Sequence, residues 1–461
     1  MTLIKSISGI RGTIGGSIEN NLTPIDAVNF GCAYAKWLIK KKSNSKNKII
    51  IGRDARVSGK MIQNLVQSSL ISMGIDVVDL GLSTTPTVEI MVKKYNADGG
   101  IIITASHNPK EWNALKLLNK NGEFLNKHEG KEIVDYYKNK KFKFSKVDEL
   151  GISTKLKNSI NQHIKYVLNL ELVKTKKIKS KKLKIVVDAV NSTGGIIIPK
   201  LLKKLNIDVV ELYCEPNGDF PHNPEPLKKN LKDLSQKVIE CGADMGIAVD
   251  PDVDRLVFVC ENGEIFGEEN TLIACADYVL SKNPGSTVSN LSSSIALRDI
   301  TEKYNQTHFY SAVGEVNVVE KMKKVNAVIG GEGNGGVIYP ESHYGRDAIV
   351  GIGLFLSLYT ERNLSLSKLI ETYPKYFMVK QSINLSNSIN IDDVLKQITT
   401  KYKNENVDFV DGVRIDFEKS WVQIRKSNTE PIIRVYSEAT SKEKANDLIS
   451  VIESLIKDIT N

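Results

Sequence analysis

No run of apolar residues here approaches the ~18 that a membrane span needs. The opening stretch, MTLIKSISGIRG, has neither an apolar core nor a small-residue cleavage site, so no secretory leader is expected. Cysteine is scarce: Cys32, Cys214, Cys241, Cys260 and Cys275 are five, an odd and scattered set without a C-x-x-C pair. That argues against a disulfide framework and a thiolate zinc cluster, and fits a reducing cytoplasm. No G-x-S-x-G elbow is present for an acyl-transfer triad, and no acidic loop carries EF-hand spacing. Arginine is also sparse. Lysine supplies nearly all of the formal charge of +9, in runs such as KTKKIKSKKLK, without interleaved stacking aromatics or a nucleic-acid reader motif. We therefore expect no specific nucleic-acid partner. The few arginines are informative by position: Arg11, Arg53, Arg56, Arg255, Arg346, Arg425 and Arg434 all fall in Gly-, Asp- or Ser-rich turns. A guanidinium fork binds phosphate or carboxylate bidentately, so these loops are expected to bind anions.

What is present is an alternation of strand-like apolar runs with longer amphipathic stretches, over 461 residues, too many for one core. KIIIGRDARVSG (48–59) reads as strand then polar turn, and KMIQNLVQSSLISMG as the helix that follows. ADGGIIITAS (97–106) and ADMGIAVDPD (243–252) match in their small, acidic and apolar positions, and NAVIGGEGNGG (326–336) is a shorter third copy. Three strand-to-loop units of one design imply three similar α/β domains, each presenting a loop at the carboxyl end of a strand. The last ~90 residues differ, with a strand-rich patch (407–439) and a closing amphipathic helix (441–459), and read as a small α+β domain. The expected domains are 1–150, 151–257, 258–371 and 372–461.

Four loops carry chemistry. In TASHNP, Ser106 is either a strand-end turn residue or a nucleophile and phosphoryl carrier, with His107 and Lys116 as candidate partners for its proton. In DPDVDR, Asp250, Asp252 and Asp254 crowd three carboxylates into five residues behind an apolar strand. Such repulsion calls for a bridging cation, and an all-oxygen set suits Mg²⁺. In GGEGNGG, glycines permit close backbone approach while Glu332 and Asn334 offer the acceptor and donor pattern of sugar hydroxyls. In RKSNTEP, Arg425, Ser427, Asn428 and Thr429, with Arg434 beyond, suit a phosphate dianion.

TASHNP, DPDVDR, GEGNGG and RKSNTEP, in this order over the whole chain, resemble the motifs of the α-D-phosphohexomutase superfamily. The resemblance implies four domains around a central cleft and an enzyme phosphorylated on Ser106. Asp250, Asp252, Asp254 and a phosphoserine oxygen of Ser106 would hold Mg²⁺, and a hexose 1,6-bisphosphate would be the intermediate. It further implies that Glu332 and Asn334 grip sugar hydroxyls and that Arg425, Ser427, Asn428, Thr429 and Arg434 hold the distal phosphate. Arg11, His107, Lys116 and Arg255 map to the reacting phosphate, with the general acid/base left open between His107 and Lys116. The partner is then a small sugar phosphate, with a cytoplasmic, membrane-free monomer or homodimer expected.

Three departures stand out: Pro251 where many members carry glycine, Gly336 where many carry histidine, and no Asp before Gly-Ile-Arg-Gly. The loop GEGNGGVIYPESHYGRDA together with VGEVNV resembles the phosphoglucosamine mutases, whereas SNT leans toward the phosphomannomutase/phosphoglucomutase type. The expectation is glucosamine 6-phosphate to glucosamine 1-phosphate, with the mannose/glucose enzyme as the alternative. Rival readings are an aspartyl-phosphate phosphotransferase using Asp250 or Asp252, and a non-catalytic sugar-phosphate-binding regulator.

Overall fold

The structure, a computed structural model, describes residues 2–6, 9–41, 46–384, 391–426 and 432–460. The chain divides into two compact units, Met1–Thr271 with Gly335–Lys368 and Leu272–Asn334 with Leu369–Asn461. Among the described residues no helix is long and apolar enough to cross a membrane.

The first unit holds two sheets. In the first, seven strands run in the order Ile4–Ser6, Gly9–Thr13, Trp112–Leu118, Gly99–Ile103, Lys48–Arg53, Asp76–Leu82, Ser153–Lys155. The isoleucine runs at 49–51 and 101–103 explain its centre. Strand side chains alternate between faces, so Ile49, Ile51, Ile101 and Ile103 pack under helices Pro24–Lys41 and Gly59–Ser72, whereas Ile50 and Ile102 pack under helix Thr85–Lys94. Unbroken apolar runs are what a strand covered on both faces requires. The second sheet runs Leu256–Cys260, Met245–Val249, Lys184–Asp188, Asp208–Leu212, with Val186, Ala248, Val257 and Val259 packed against Leu234 and Val238 of helix Lys232–Glu240. Helix Ala348–Arg362 joins this unit, and its Phe355 ring stacks on Phe258 at 3.6 Å between centroids.

The second unit contains the parallel strands His308–Ser311, Thr287–Asn290 and Ile329–Glu332. It also contains a five-stranded antiparallel sheet, ordered Phe377–Asn384, Ile432–Ala439, Ser420–Lys426, Val413–Phe417, Asn406–Asp408. Val422, Ile424, Ile433 and Val435 of that sheet share a core with Ile398 of helix Ile391–Lys401 and Ile449, Ile452 and Ile456 of helix Lys442–Thr460.

The architecture is that of three α/β/α domains and a C-terminal domain with an antiparallel sheet, in the α/β class that the alternation implies. The strand Ser153–Lys155 pairs in parallel with Val77–Asp79, so the first sheet runs past residue 150. Likewise Leu256–Cys260 pairs antiparallel with Met245–Val249, which carries the second sheet past residue 257.

Candidate active site and metal centre

Ser106 follows the buried strand Gly99–Ile103 and lies in the left-handed region, with φ of 49°. A non-glycine residue there carries strain that its surroundings must impose. Thr104 Oγ1 accepts from the Ser106 N–H at 2.9 Å, and Arg56 fixes the rest of the loop. The Arg56 guanidinium is buried, pairs with Asp54 at 3.0 Å, and donates to the carbonyls of Ser106, Asn108, Pro109 and Trp112. Every donor of its fork is then engaged by the protein. The expectation that Arg56 binds an anion is corrected: the fork is matched to a ring of carbonyls. The Ser106 hydroxyl donates to Asp250 Oδ2 at 2.6 Å, and His107 Nδ1 lies 3.4 Å from Ser106 Oγ.

The acidic loop follows the buried strand Met245–Val249, and ligand oxygens of Asp250, Asp252 and Asp254 lie within 4.8 Å of one another. Asp250 Oδ1 accepts the backbone N–H groups of Asp254 and Arg255, both at 3.1 Å. Lys116, on the strand Trp112–Leu118, reaches Asp252 Oδ2 at 2.7 Å and Asp254 Oδ2 at 3.2 Å, and Arg346 Nη2 reaches Asp254 Oδ2 at 2.7 Å. Thr85 Oγ1 donates to Asp252 Oδ2 at 2.5 Å. The Oδ1 atoms of Asp252 and Asp254 are buried and accept no hydrogen bond. Two buried, unpartnered carboxylate oxygens beside a third carboxylate fit a small oxygen-preferring divalent cation, so the residues present fit Mg²⁺.

The electrostatics separate these groups. Burial, then the neighbouring Asp254 and Asp252, hold the Asp250 carboxyl well above the usual range. Burial also acts to raise Asp254, but Arg346, Lys116 and Arg255 outweigh it and hold that carboxyl low. Burial opposes the Lys116 ammonium, yet Asp252 and Asp254 outweigh it and lift the pKa above the ordinary lysine value. The His107 imidazole is pushed down to about 2 by burial, helped by the guanidinium groups of Arg255 and Arg11. At neutral pH the pair is therefore a neutral imidazole and a cationic ammonium. Arg255 Nη2 lies 2.7 Å from His107 Nδ1, Arg255 Nη1 pairs with Glu225 at 2.9 Å, and Arg11 Nη1 donates to Asn108 Oδ1 at 2.9 Å.

The acidic loop keeps its shape because three separate segments hold its carbonyls. Ser192 Oγ and Thr193 Oγ1 both donate to the Pro251 carbonyl at 2.7 Å. The N–H of Thr85 donates to the Asp252 carbonyl at 2.9 Å, and that of Ala348 to the Val253 carbonyl at 3.3 Å. Each donor sits at the start of a helix: Gly194–Lys204, Thr85–Lys94 and Ala348–Arg362. Val253 at the loop's centre is buried with φ of 64°, an outlier for a β-branched residue.

In the second unit, Glu332 ends the strand Ile329–Glu332 and accepts from Asn290 Nδ2 at 2.8 Å and from the Gly314 N–H at 3.0 Å. Asn334 Nδ2 is 3.5 Å from Glu332 Oε2. Arg425 and Arg434 are paired directly opposite each other on adjacent antiparallel strands, and Arg425 Nη1 lies 3.7 Å from Asp411 Oδ2. Like charges in register are unfavourable unless an anion lies near both. Ser427, Asn428 and Thr429 lie outside the described residues.

Thus Ser106, His107, Lys116, Arg11, Arg255 and the three aspartates come together in the first unit, while Glu332, Asn334, Arg425 and Arg434 belong to the second. Thr85, Glu225 and the clamping role of Arg56 were not read from the sequence. Arg346 carried a signal as an arginine in a glycine-rich turn.

The site is a serine hydroxyl on a carboxylate, beside a triad suited to a divalent cation, and comparison with known proteins defines the class as a phosphohexomutase. The phosphoglucomutase/phosphomannomutase α/β/α domains I, II and III match residues 3–144, 161–263 and 268–376, and the C-terminal domain of that family matches 385–454. A phosphoglucomutase/phosphomannomutase of Thermococcus kodakarensis is 35% identical over 97% of this chain and 98% of its own length. A probable phosphoglucosamine mutase of Methanopyrus kandleri is 32% identical over 96% of this chain and 95% of its own. The crystal structure of a phosphoglucomutase/phosphomannomutase family protein from Burkholderia thailandensis superposes with a TM-score of 0.85 over 99% of this chain and 97% of its own, at 24% identity. The chain belongs to the phosphoglucomutase/phosphomannomutase family, the α-D-phosphohexomutases.

Proposed function

We propose that this phosphohexomutase interconverts glucosamine 6-phosphate and glucosamine 1-phosphate, with Ser106 as phosphoryl carrier. The observation that carries the Ser106 assignment is its hydroxyl 2.6 Å from Asp250 Oδ2, on the edge of the acidic triad. In the first half-reaction a hydroxyl of the bound sugar phosphate attacks the phosphorus on Ser106 Oγ. The new sugar O–P bond forms as the serine O–P bond breaks, giving a 1,6-bisphosphate. In the second half, Ser106 Oγ attacks the other phosphoryl group, which restores the phosphoserine and releases the isomer. Held by Asp250, Asp252 and Asp254, Mg²⁺ would supply charge stabilisation at the transferring oxygens.

The chain's own groups do the rest. Lys116, Arg11 and Arg255 add fixed positive charge around Ser106, which favours the more anionic transition state. Two protons move in each half-reaction, one at the serine oxygen and one at the sugar oxygen. His107, 3.4 Å from Ser106 Oγ, and Lys116, held as a cation, are the candidate proton carriers: whichever returns a proton to the serine oxygen in the first half-reaction takes it back in the second. Glu332 and Asn334 would take sugar hydroxyls, and Arg425 and Arg434, with Ser427, Asn428 and Thr429, the distal phosphate. The four segments 1–150, 151–257, 258–371 and 372–461 would then contribute the carrier serine, the metal loop, the sugar loop and the phosphate clamp.

The glucosamine assignment rests on the GEGNGGVIYPESHYGRDA and VGEVNV stretches and on the name of the Methanopyrus relative. The 35% identical Thermococcus protein favours a second reading, mannose or glucose phosphates with the same mechanism. Measuring kcat/KM on the 1- or 6-phosphates of glucosamine, glucose and mannose decides between them. A glucosamine preference of tenfold or more, about 1.4 kcal/mol in transition-state binding, supports the assignment. A mannose or glucose preference overturns it, and unchanged turnover by Ser106→Ala removes the phosphoryl carrier.

A further inference from the structure

Two of the three segments that hold the acidic loop are themselves connected by a buried side chain outside every motif. His163, on helix Ser159–Leu168, is fully buried. Its Nδ1 lies 2.8 Å from Thr87 Oγ1 and its Nε2 lies 2.9 Å from Asp347 Oδ2. Because a carboxylate only accepts, Nε2 bears a proton toward Asp347, while Nδ1 and the threonine hydroxyl share the second hydrogen bond. Both partners belong to helix starts. Thr87 gives its N–H to the Thr84 cap of helix Thr85–Lys94, and its hydroxyl meets Thr84 Oγ1 at 2.6 Å. Asp347 caps helix Ala348–Arg362 by accepting from the N–H groups of Ile349 and Val350. His343 Nε2 adds a second contact to Asp347 Oδ2 at 3.1 Å, and His343 Nδ1 lies 3.4 Å from Glu89 Oε2, again joining the two helices.

These are the helices whose first residues hold the acidic loop. Thr85 takes both the carbonyl and the carboxylate of Asp252. Ala348 takes the carbonyl of Val253, and Arg346, immediately before Asp347, takes the carboxylate of Asp254. The strained Val253 therefore depends on two helix starts staying at one separation, and His163 spans them.

We propose that His163 is a positioning residue for the metal loop: by bridging Thr87 and Asp347 it fixes the spacing of two helix starts that aim Asp252 and Asp254 at the cation. This deepens the proposed function and rests on the metal site within it. Groups that orient ligands from behind typically change metal affinity by roughly 10–100-fold when altered.

The test is Mn²⁺ binding to the full-length, dephosphorylated protein, by calorimetry or by the loss of the free-ion spin-resonance signal, alongside the thermal midpoint. His163→Phe is expected to weaken Mn²⁺ at least tenfold. His163→Gln, whose amide can donate to Asp347 and accept from Thr87, is expected to restore affinity to within threefold of the unsubstituted chain. Should His163→Phe fail to fold, the isosteric Thr87→Val breaks the same bridge and is expected to weaken Mn²⁺ in the same way. A folded His163→Phe or Thr87→Val protein that binds Mn²⁺ within twofold of the unsubstituted chain overturns the proposal, even if its thermal midpoint falls. An unsubstituted chain that binds Mn²⁺ but turns over no hexose phosphate removes the proposed function and leaves this inference standing. No Mn²⁺ binding at all removes both.

Discussion

Replacing Lys116 by methionine keeps most of the apolar stem of the side chain and deletes its charge. In the native arrangement the Lys116 ammonium lies 2.7 Å from Asp252 and 3.2 Å from Asp254, and all three side chains are buried. Removing one partner of a buried ion pair leaves an uncompensated charge and costs about 3–5 kcal/mol. At about 2–3 °C per kcal/mol for a unit of this size, the thermal midpoint in EDTA should fall by roughly 6–15 °C. The same substitution makes the loop more negative by one charge, so a divalent cation should bind it more tightly than it binds the native loop. Since a ligand that binds only the folded state stabilises by mass action, millimolar Mg²⁺ should raise the midpoint of Lys116→Met more than that of the unsubstituted protein. The assay is thermal unfolding of both proteins in EDTA and in Mg²⁺. A fall of less than about 2 °C in EDTA, corresponding to under ~1 kcal/mol, would show that the charges do not depend on each other. An equal fall with and without Mg²⁺ would refute the idea that lysine and cation act on the same carboxylates.

Two further outcomes follow from other parts of the molecule. Arg425→Met should raise KM for the hexose phosphate by roughly 10–100-fold with a smaller change in kcat, since a hydrogen bond to a charged group contributes about 1.5–3 kcal/mol; steady-state kinetics with an unchanged KM would remove Arg425 from the phosphate clamp. His222 gives a pH dependence. Its Nε2 meets Asp188 Oδ2 and its Nδ1 meets the Asn223 carbonyl, both at 2.9 Å, so both nitrogens face acceptors, as the imidazolium requires. Burial opposes that charge, but the Asp188 contact outweighs it and raises the pKa above the ordinary 6.5. A raised folded-state pKa contributes stability fully present below the unfolded value and lost as pH rises through the folded one. Thermal midpoints recorded from pH 6 upward should therefore decline more steeply for the native chain than for His222→Gln, and parallel curves would exclude a charged His222.

The contiguous parts of the candidate site were legible in the sequence because each is a strand end followed by a polar turn. Ser106 and the three aspartates stand in the order and spacing in which their loop presents them, and Met245–Val249 announces its burial by composition. The parallel strands at 49–51 and 101–103 were legible for the same reason. The strand Ser153–Lys155 was not, for all three of its residues are exposed and it exists only by pairing with Val77–Asp79. Arg56 shows a different limit. Its presence in a lysine-dominated chain signalled a need for a planar fork, but four carbonyls of one loop satisfy a fork as an anion would.

What sequence reading could not reach is the support of the acidic loop, because its parts are scattered. The donors to the successive carbonyls of Pro251, Asp252 and Val253 come from residues 192–193, 85 and 348. Residues 85 and 192–193 lie outside the four motifs, Ala348 closes the GEGNGGVIYPESHYGRDA stretch, and each is an ordinary helix start. Yet the conformation at Val253 cannot come from Val253 itself. With φ of 64° and no exposure, a valine there is held against its own preference by roughly 1–3 kcal/mol. That opposing force has to come from outside the loop, and the three helix starts are where the structure supplies it. The loop's sequence therefore determines which atoms face the cation, while the helices determine where those atoms stand. On this argument a substitution at a helix start should change metal affinity without touching a ligand, and His163, which ties two of those starts together, is where that separation of roles is most directly exposed to measurement.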